Sequence, residues 1–195
     1  MFIQTEATPN PATLKFLPGR EVLGGGEAGG GMDFPNADAA AASPLAQAVF
    51  ATDGVASVFL GGDFLSVTKT DGVDWAHLKP AILGAIMDHF TAGLPVLADG
   101  AGAPESANPS AEYEGEDAEV VEQIVELLDT RVRPAVAQDG GDIVFDRYEP
   151  GDGVVYLHMR GACSGCPSST MTLKAGIENL LKHYIPEINR VEPVL

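Results

Sequence analysis

The sequence is poor in cysteine, in basic residues and in long apolar runs, and each shortage excludes something. Only two cysteines occur in 195 residues, so one chain cannot supply a closed four-thiolate site. Eleven Lys and Arg stand against 28 Asp and Glu, for a net charge of −17, which excludes a general grip on nucleic acid phosphates. No apolar stretch reaches the roughly 18 residues of a membrane span. We therefore expect a soluble, acidic protein with neither nucleic acid nor membrane partners.

The first residues, "MFIQTEATPNPATLKFLPG", lack the features of targeting segments. They have no basic patch followed by an apolar run, as a signal peptide would, and no Arg- and Ser-rich character, as a transit peptide would. We expect a cytoplasmic bacterial protein, or a mitochondrial matrix protein whose presequence has been removed. Because such compartments are reducing, metal or redox chemistry is favoured over a structural disulfide at the cysteines.

The composition changes sharply at residues 97–115. This stretch is rich in Gly, Pro, Ala, Ser and acidic residues and offers almost nothing to bury, which is typical of an exposed linker. The predicted fold class is α+β, with two small α+β domains joined by this acidic, Gly/Pro-rich linker. The predicted boundaries are residues 1–96, 97–115 and 116–195.

The first domain is predicted to run strand, strand, helix, hairpin, helix. Its strands lie around the "TPNP" turn, and Ser43 caps a short helix that ends near Phe50. "VASVFLGGDFLSVTKT" predicts a hairpin, and residues 74–90 carry apolar side chains at helical spacing. The glycine-rich residues 24–43 are expected to form a flexible loop.

The second domain is predicted as helix, hairpin, cysteine loop, helix and edge strand. The first helix covers residues 117–138 with a bend at Pro134, and the strands are "DIVFDRY" and "VVYLHMR". The helix after the loop carries a buried stripe, made of Leu173, Ile177, Leu180, Leu181 and Tyr184.

The loop "GACSGCPSS" holds Cys163 and Cys166, and this spacing suits a redox dithiol, half of a zinc site or half of an iron–sulfur site. Pro167 is well placed at a first helical position, so Cys166 lies where free backbone N–H groups and the helix dipole favour thiolate. A thioredoxin-like site would need the pair to open a helix inside a βαβ unit. The predicted hairpin before the pair disfavours that alternative.

A metal site needs more ligands than this pair. The four histidines, His77, His89, His158 and His183, lack the short spacing to a cysteine that zinc motifs show, and we interpret them as surface or half-buried side chains. Symmetry supplies the missing ligands more simply, because two chains that each contribute one pair surround a shared centre with four thiolates.

With these motifs in hand, the chain resembles the Nfu family of iron–sulfur cluster carriers over almost its whole length. The motifs are "RPAVAQDGGDIVF" and "VVYLHMRGACSGCPSSTMTLKAGIENLL" for the NifU-like domain, with "TEATPNPATLKFLPG" and "DGVASVFLGGDFLSVTK" for the N-terminal domain. The resemblance implies a scaffold rather than an enzyme.

The resemblance also implies the ligands and the partners. Cys163 and Cys166 would hold one 4Fe–4S cluster between two subunits, with a 2Fe–2S form left open. The cluster would come from upstream assembly machinery and pass to apo client proteins. Gly161, Gly165 and Pro167 would shape the loop, and the "DGGD" element (Asp139, Gly140, Gly141 and Asp142) would form a tight turn. A dithiol oxidoreductase and a zinc-bridged dimer remain alternatives.

Overall fold

The computed structural model describes residues 2–24, 31–98, 109–164 and 167–194. Within these ranges it contains eight strands and five α-helices, arranged as two α+β units that each have a sheet and a buried apolar cluster. The predicted fold class is thus confirmed. The exact domain boundaries stay a prediction.

The first unit is an antiparallel sheet that packs with two helices. In the described residues the sheet has five strands in the order β1-β2-β5-β4-β3. The elements are β1 (Gln4–Ala7), β2 (Thr13–Leu17), β3 (Met32–Phe34), α1 (Pro44–Phe50), β4 (Val55–Leu60), β5 (Leu65–Lys69) and α2 (Trp75–Thr91).

Local signals decide where both helices begin. The Ser43 hydroxyl accepts a hydrogen bond from the N–H of Ala46 at 3.1 Å, as predicted, and Pro44 occupies the first turn, where no N–H is missed. The Asp74 carboxylate caps α2 in the same way through Ala76 N–H at 2.9 Å. Both helices then bury apolar faces in the core of the first unit.

The glycine-rich region differs from the expected flexible loop. Residues 25–30 lie outside the described part of the chain, but β3 follows them and pairs with β4 at the edge of the sheet. A 3-10 turn, Ala39–Ala42, comes next. The prediction of a loop over the whole of residues 24–43 is therefore wrong for β3 and for this turn. Three residues are too short a run to show a strand periodicity, so only the pairing with β4 reveals β3.

The second unit has the predicted order of elements. They are α3 (Glu116–Leu127), α4 (Arg133–Gln138), β6 (Gly141–Glu149), β7 (Val154–Gly161), α5 (Pro167–Tyr184) and β8 (Arg190–Val194). β6 and β7 form the antiparallel hairpin, and β8 lies parallel to β7 at the other side. Between α3 and α4 the backbone is π-helical over Leu128–Val132. Pro134 lacks an N–H and crowds the carbonyl four residues earlier, so the helix widens there instead of continuing regularly.

The apolar stripe of α5 is only partly as predicted. Ile177 and Leu181 are buried in the second core, but Tyr184 is 45% exposed. The buried face continues from Leu181 to Ile185, one turn further on, and then to Ile188 beyond the helix. The assignment of Tyr184 to the core is therefore wrong.

The end of the predicted linker packs onto the second unit. Residues 99–108 lie outside the described ranges, whereas Pro109–Glu112 form a 3-10 turn. The Tyr113 hydroxyl accepts a 2.7 Å hydrogen bond from the N–H of Tyr148, and the two rings lie 6.4 Å apart. This end of the linker thus differs from the wholly exposed spacer that its composition suggests.

His89 in α2 is buried, contrary to the expectation of a surface or half-buried imidazole. It is 3% exposed, and neither ring nitrogen has a hydrogen-bond partner among the described residues. Burial lowers the pKa of His89 below 6.5, and backbone groups of Pro95 and Leu94 offset only part of this effect without reaching hydrogen-bond geometry.

Acidification is expected to destabilise the first unit through His89. Because its folded-state pKa is lowered, the unfolded chain binds this proton first, so stability is complete above about pH 6.5 and is lost as the pH falls toward the folded pKa. His89→Leu should flatten the dependence of the thermal midpoint between about pH 7.5 and 5.5. His77→Leu, at an exposed position of the same helix, is the control and should leave the slope unchanged. Equal slopes in all three proteins would contradict the assignment.

Candidate metal centre

The cysteine loop leaves β7 at Gly161 and enters α5 at Pro167, as the sequence predicts. Gly161 has a φ of +62°, a conformation that favours glycine, and its carbonyl accepts hydrogen bonds from the N–H of Ser164 at 3.1 Å and the Ser164 hydroxyl at 2.9 Å. The Thr170 hydroxyl of α5 donates to the carbonyl of Cys163 at 3.1 Å. These bonds tie the first half of the loop to both flanking elements.

Only one of the two predicted ligands lies in the described residues. Cys163 is 7% exposed and belongs to the apolar cluster of the second unit, whereas Gly165 and Cys166 lie outside the described ranges. No apolar stripe in the sequence includes Cys163, so its place in this core appears only in the tertiary structure. The expected thiolate character of Cys166 stays a prediction.

The environment of Cys163 favours the neutral thiol. Burial, joined by the negative charges of Asp139 and Asp142, raises its pKa to about 12. Gly141, at the start of β6, lies so close that a Cβ there would collide with Cys163 Sγ. In the described conformation the sulfur is thus held inside the second unit against the "DGGD" element.

The two glycines of "DGGD" serve different contacts. Gly140 has a φ of +79°, which suits the predicted tight turn after α4, and its carbonyl accepts a hydrogen bond from Ala162 N–H at 3.2 Å. Gly141 instead leaves room for the thiol of Cys163. The element therefore forms the turn and also shapes the floor of the cysteine loop.

Asp142 fastens this floor to the helix before it. Its carboxylate makes a two-pronged ion pair with Arg133, at 2.8 Å to Nε and 3.1 Å to Nη2, and also accepts from Ile143 N–H at 2.8 Å. Asp129 binds Arg133 Nη1 at 3.0 Å from a more exposed position. Burial by itself lowers the pKa of Arg133, but the hydrogen bonds and charges of the two carboxylates outweigh it and raise the pKa. Arg133 is the first residue of the "RPAVAQDGGDIVF" motif, but its ion pair with Asp142 is visible only in the structure.

Removing the Asp142 carboxylate is expected to destabilise the second unit strongly. Asp142→Ala leaves the Arg133 charge buried without its main partner, which costs about 3 kcal/mol. Asp129→Ala is the matched control, because its side chain is 42% exposed and its ion pair with the same arginine is worth less than about 1 kcal/mol. Urea unfolding of both variants checks the difference, and equal losses would contradict the central place given to Asp142.

The histidines do not gather at this site. His158 on β7 is bonded through Nε2 to Asp146 Oδ1 at 2.9 Å, His77 and His183 are exposed, and His89 is buried in the first unit. Within the described ranges, no group of three or more His, Cys, Asp and Glu side chains could hold a metal ion. In that part of the chain, no helix has both the length and the apolar character to cross a membrane.

Two family models match the chain, one on each unit. The model described as "Scaffold protein Nfu/NifU N terminal" matches residues 3–93, and the model described as "NifU-like domain" matches residues 124–192, which include the cysteine loop. The chain belongs to the Nfu/NifU family. The resemblance drawn from the sequence motifs is confirmed, and the second unit is hereafter the NifU-like domain and the first the Nfu N-terminal domain.

Relatives of known name match nearly the whole chain. "NifU-like protein 4, mitochondrial" of Arabidopsis thaliana is 50% identical over 192 residues, or 98% of this chain. "NFU1 iron-sulfur cluster scaffold homolog, mitochondrial" of Drosophila sechellia is 52% identical over 196 residues, or 100% of this chain. The chain spans 65% of the length of each of these relatives. The solution structure of a NifU-like protein from Saccharomyces cerevisiae is 32% identical, covers 50% of this chain and 84% of its own, and has a TM-score of 0.44.

Proposed function

We propose that this chain is an iron–sulfur cluster scaffold that carries clusters to apo-proteins and does not catalyse a reaction. Cys163 and Cys166 are the ligands, and two chains hold one 4Fe–4S cluster between their loops. The observation that carries the proposal is a CxxC loop, within a matched NifU-like domain, in a chain about half identical to a relative named iron-sulfur cluster scaffold.

The cysteine count supports the shared site. Iron–sulfur clusters of the 4Fe–4S type take four thiolates, and the sequence has two. A second copy of the same loop supplies the other two without any new ligand. Met171, in the first turns of α5 beside the loop, is 72% exposed and offers an apolar contact where the second chain would approach.

The proposed route is from assembly machinery to client. The cluster arrives from upstream assembly proteins and leaves by exchange of this chain's thiolates for those of an apo client protein. The compartment we propose is the mitochondrial matrix, because the relatives are named mitochondrial. The cytoplasmic bacterial expectation has no support from these names.

One observation favours a second candidate, a dithiol oxidoreductase. β7, α5 and β8 form a βαβ unit with the cysteine pair at the start of its helix, which is the arrangement expected of a thioredoxin-like site. The sequence argument against this alternative is wrong on that point. A redox nucleophile, however, needs an accessible thiolate, and Cys163 is buried with a raised pKa.

Anaerobic reconstitution with iron and sulfide tests the proposal. The scaffold should turn brown and contain about four irons per two chains, with matching sulfide. A colourless protein that exchanges disulfides catalytically would favour the oxidoreductase. A colourless protein that instead retains about one zinc per two chains would favour the zinc-bridged dimer.

A further inference from the structure

The Nfu N-terminal domain contacts the NifU-like domain at the cysteine loop and its floor. Most of the contacts come from one surface of the first sheet and the turn beside it, which we call the docking face and define by Asn10, Lys15, Phe59 and Ser66. Outside this face, the Gly31 carbonyl accepts a hydrogen bond from Arg160 Nη1 at 3.2 Å, and Gly31 N–H donates to Asp142 Oδ2 at 3.5 Å. Asn10, Lys15 and Ser66 are buried polar residues, and Phe59 is also buried. The domains therefore meet at the candidate site itself.

Part of the docking face binds the floor of the loop. The Ser66 hydroxyl donates to the carbonyl of Gly140 at 2.6 Å. The Lys15 ammonium donates to the last carbonyls of α4, at 2.9 Å to Ala137 and 3.2 Å to Gln138. A cation at the carboxyl end of a helix meets the negative end of the helix dipole, so this anchor is electrostatically favourable.

The rest of the docking face touches the loop directly. Asn10 Nδ2 donates to the carbonyl of Ser164 at 3.3 Å. Ser164 stands between the two proposed ligands, next to Cys163 and two residues before Cys166. The Phe59 ring lies against Gly161, where an added Cβ would come within 3.0 Å of it. A domain that contacts Gly161 and Ser164 covers the backbone on both sides of Cys163.

The interface has the character of a reversible contact. The hydrogen bonds between the domains run mainly from side chains to backbone carbonyls. A cavity of about 290 Å³ remains between the domains and is lined by residues of both, such as Phe64 and Arg133. A cavity of this size means that the two domains are not closely packed there, and a permanent interface gains most of its stability from close packing. Polar interfaces between domains of one chain commonly open and close.

We propose that the docking face is an internal cap on the cysteine loop, which must detach before two loops can share a cluster. This regulation rests on the proposed function, because the site being covered is the proposed cluster site. In the capped apo chain Cys163 is buried, and the N-terminal domain lies against its neighbours Gly161 and Ser164. A second chain or a client reaches this part of the loop only after the cap has detached. The N-terminal domain and the partner loop therefore compete for one surface.

The test weakens the cap without touching the loop. The double variant Asn10→Ala with Ser66→Ala removes two hydrogen bonds between the domains, while the Gly140 carbonyl keeps its bond from Ala162 N–H. It also removes the bond from Ala12 N–H to Asn10 Oδ1 inside the N-terminal domain, which Lys15→Met leaves in place. Thr70→Ala is the control, since Thr70 follows β5, is exposed and bonds Gly54 within its own domain. Lys15→Met removes the hydrogen bonds from Lys15 to the carbonyls at the end of α4 and keeps an unbranched apolar side chain. The test of the cap therefore does not depend on the folding of a single variant.

Thiol accessibility is the first measurement. Apo protein is treated with iodoacetamide, and alkylation is followed by mass spectrometry of the tryptic peptide 161–174, which contains both cysteines. Because alkylation proceeds through the open form, the loss of two hydrogen bonds should speed it about tenfold in the double variant. Lys15→Met should show an increase of similar size, and Thr70→Ala should match the natural sequence. Unchanged rates in both cap variants would overturn the proposal.

The initial rate of cluster incorporation separates this inference from the proposed function. Faster alkylation together with faster incorporation in the cap variants supports both. Faster alkylation of the cap variants, with no cluster in any of the proteins, supports the cap and refutes the scaffold function. Equal alkylation with equal, efficient incorporation refutes the cap and leaves the scaffold standing.

Discussion

Replacing Cys163 or Cys166 with alanine is expected to abolish cluster binding, from about four irons per two chains to none. Each substitution removes one thiolate per chain and therefore two of the four ligands of the shared site. Iron and sulfide analysis after anaerobic reconstitution, together with visible absorption, measures the loss.

The two variants should differ in stability. Cys163 is part of the buried cluster of the NifU-like domain, so its truncation leaves a small void and costs about 1 kcal/mol. Far-UV circular dichroism should nevertheless show a retained fold, which separates loss of ligand from unfolding. Serine is a poorer choice here than alanine, because it would bury a hydroxyl in an apolar site.

Ser164→Ala is the matched control for both cysteine variants. It changes a neighbouring loop residue, keeps both thiols and, among the described residues, removes the bond from the Ser164 hydroxyl to the Gly161 carbonyl. This control should bind a full cluster. A full cluster in either cysteine variant would mean that another side chain is a ligand. His158 would then be the first to replace, even though its ring is bonded to Asp146 in the folded chain.

Removing the cluster is expected to convert a dimer into monomers. The closed four-thiolate site exists only when two loops meet, so metal–thiolate bonds stabilise the assembly and their loss releases the chains. Each chain carries a net charge of −17, which adds repulsion between subunits. Of the large apolar side chains that are exposed in the described residues, Met87 lies on α2, Met171 and Tyr184 lie on α5, and Phe2 and Leu94 lie outside the helices and strands.

This scatter leaves little to hold a permanent interface. Met171 and Tyr184 lie near opposite ends of α5, separated by about 20 Å of helix, so they do not form one patch. Stable interfaces bury roughly 800 Å² on each partner. On the described surface of α5, Met171 is therefore an isolated apolar contact beside the loop, with no other large exposed apolar side chain next to it on the helix.

Anaerobic sizing chromatography with light scattering, before and after iron chelation, decides the matter. The reconstituted protein should elute as a dimer and the chelated protein as a monomer, at micromolar concentration and moderate salt. Cys166→Ala should behave as the chelated protein under both conditions. A dimer that survives complete loss of iron would show that protein contacts hold the chains together, and the cluster-dependent assembly would then be wrong.

The elements around the site were predictable because their signals are local. Pro167 sets the start of α5, and Ser43 sets the start of α1, each through its own backbone geometry or side-chain bond. The loop between β7 and α5 was placed correctly for the same reason. β3 was missed because three residues show no periodicity until they pair with β4.

The surroundings of the thiol were not predictable in this way. Cys163 has no helical or strand stripe to mark it as buried, and its burial depends on Gly141 at the start of another strand. The same is true of Arg133, whose role appears only when Asp142 is brought against it. The end of the buried stripe of α5 also differs from the prediction, because Ile185 and Ile188 are buried and Tyr184 is exposed.

The sequence by itself determined the family, the two-unit α+β organisation and the candidate ligand pair, since these depend on residue identity and on spacing along the chain. The tertiary structure alone decided that Cys163 is buried, that the "DGGD" element is the floor of its loop and that the docking face bonds to the same loop. These are contacts between residues far apart in sequence, such as Ser66 with Gly140 and Asn10 with Ser164. The residue at one position does not reveal its partner in such a pair, because these hydrogen bonds and packing contacts form between segments that only the folded chain brings together.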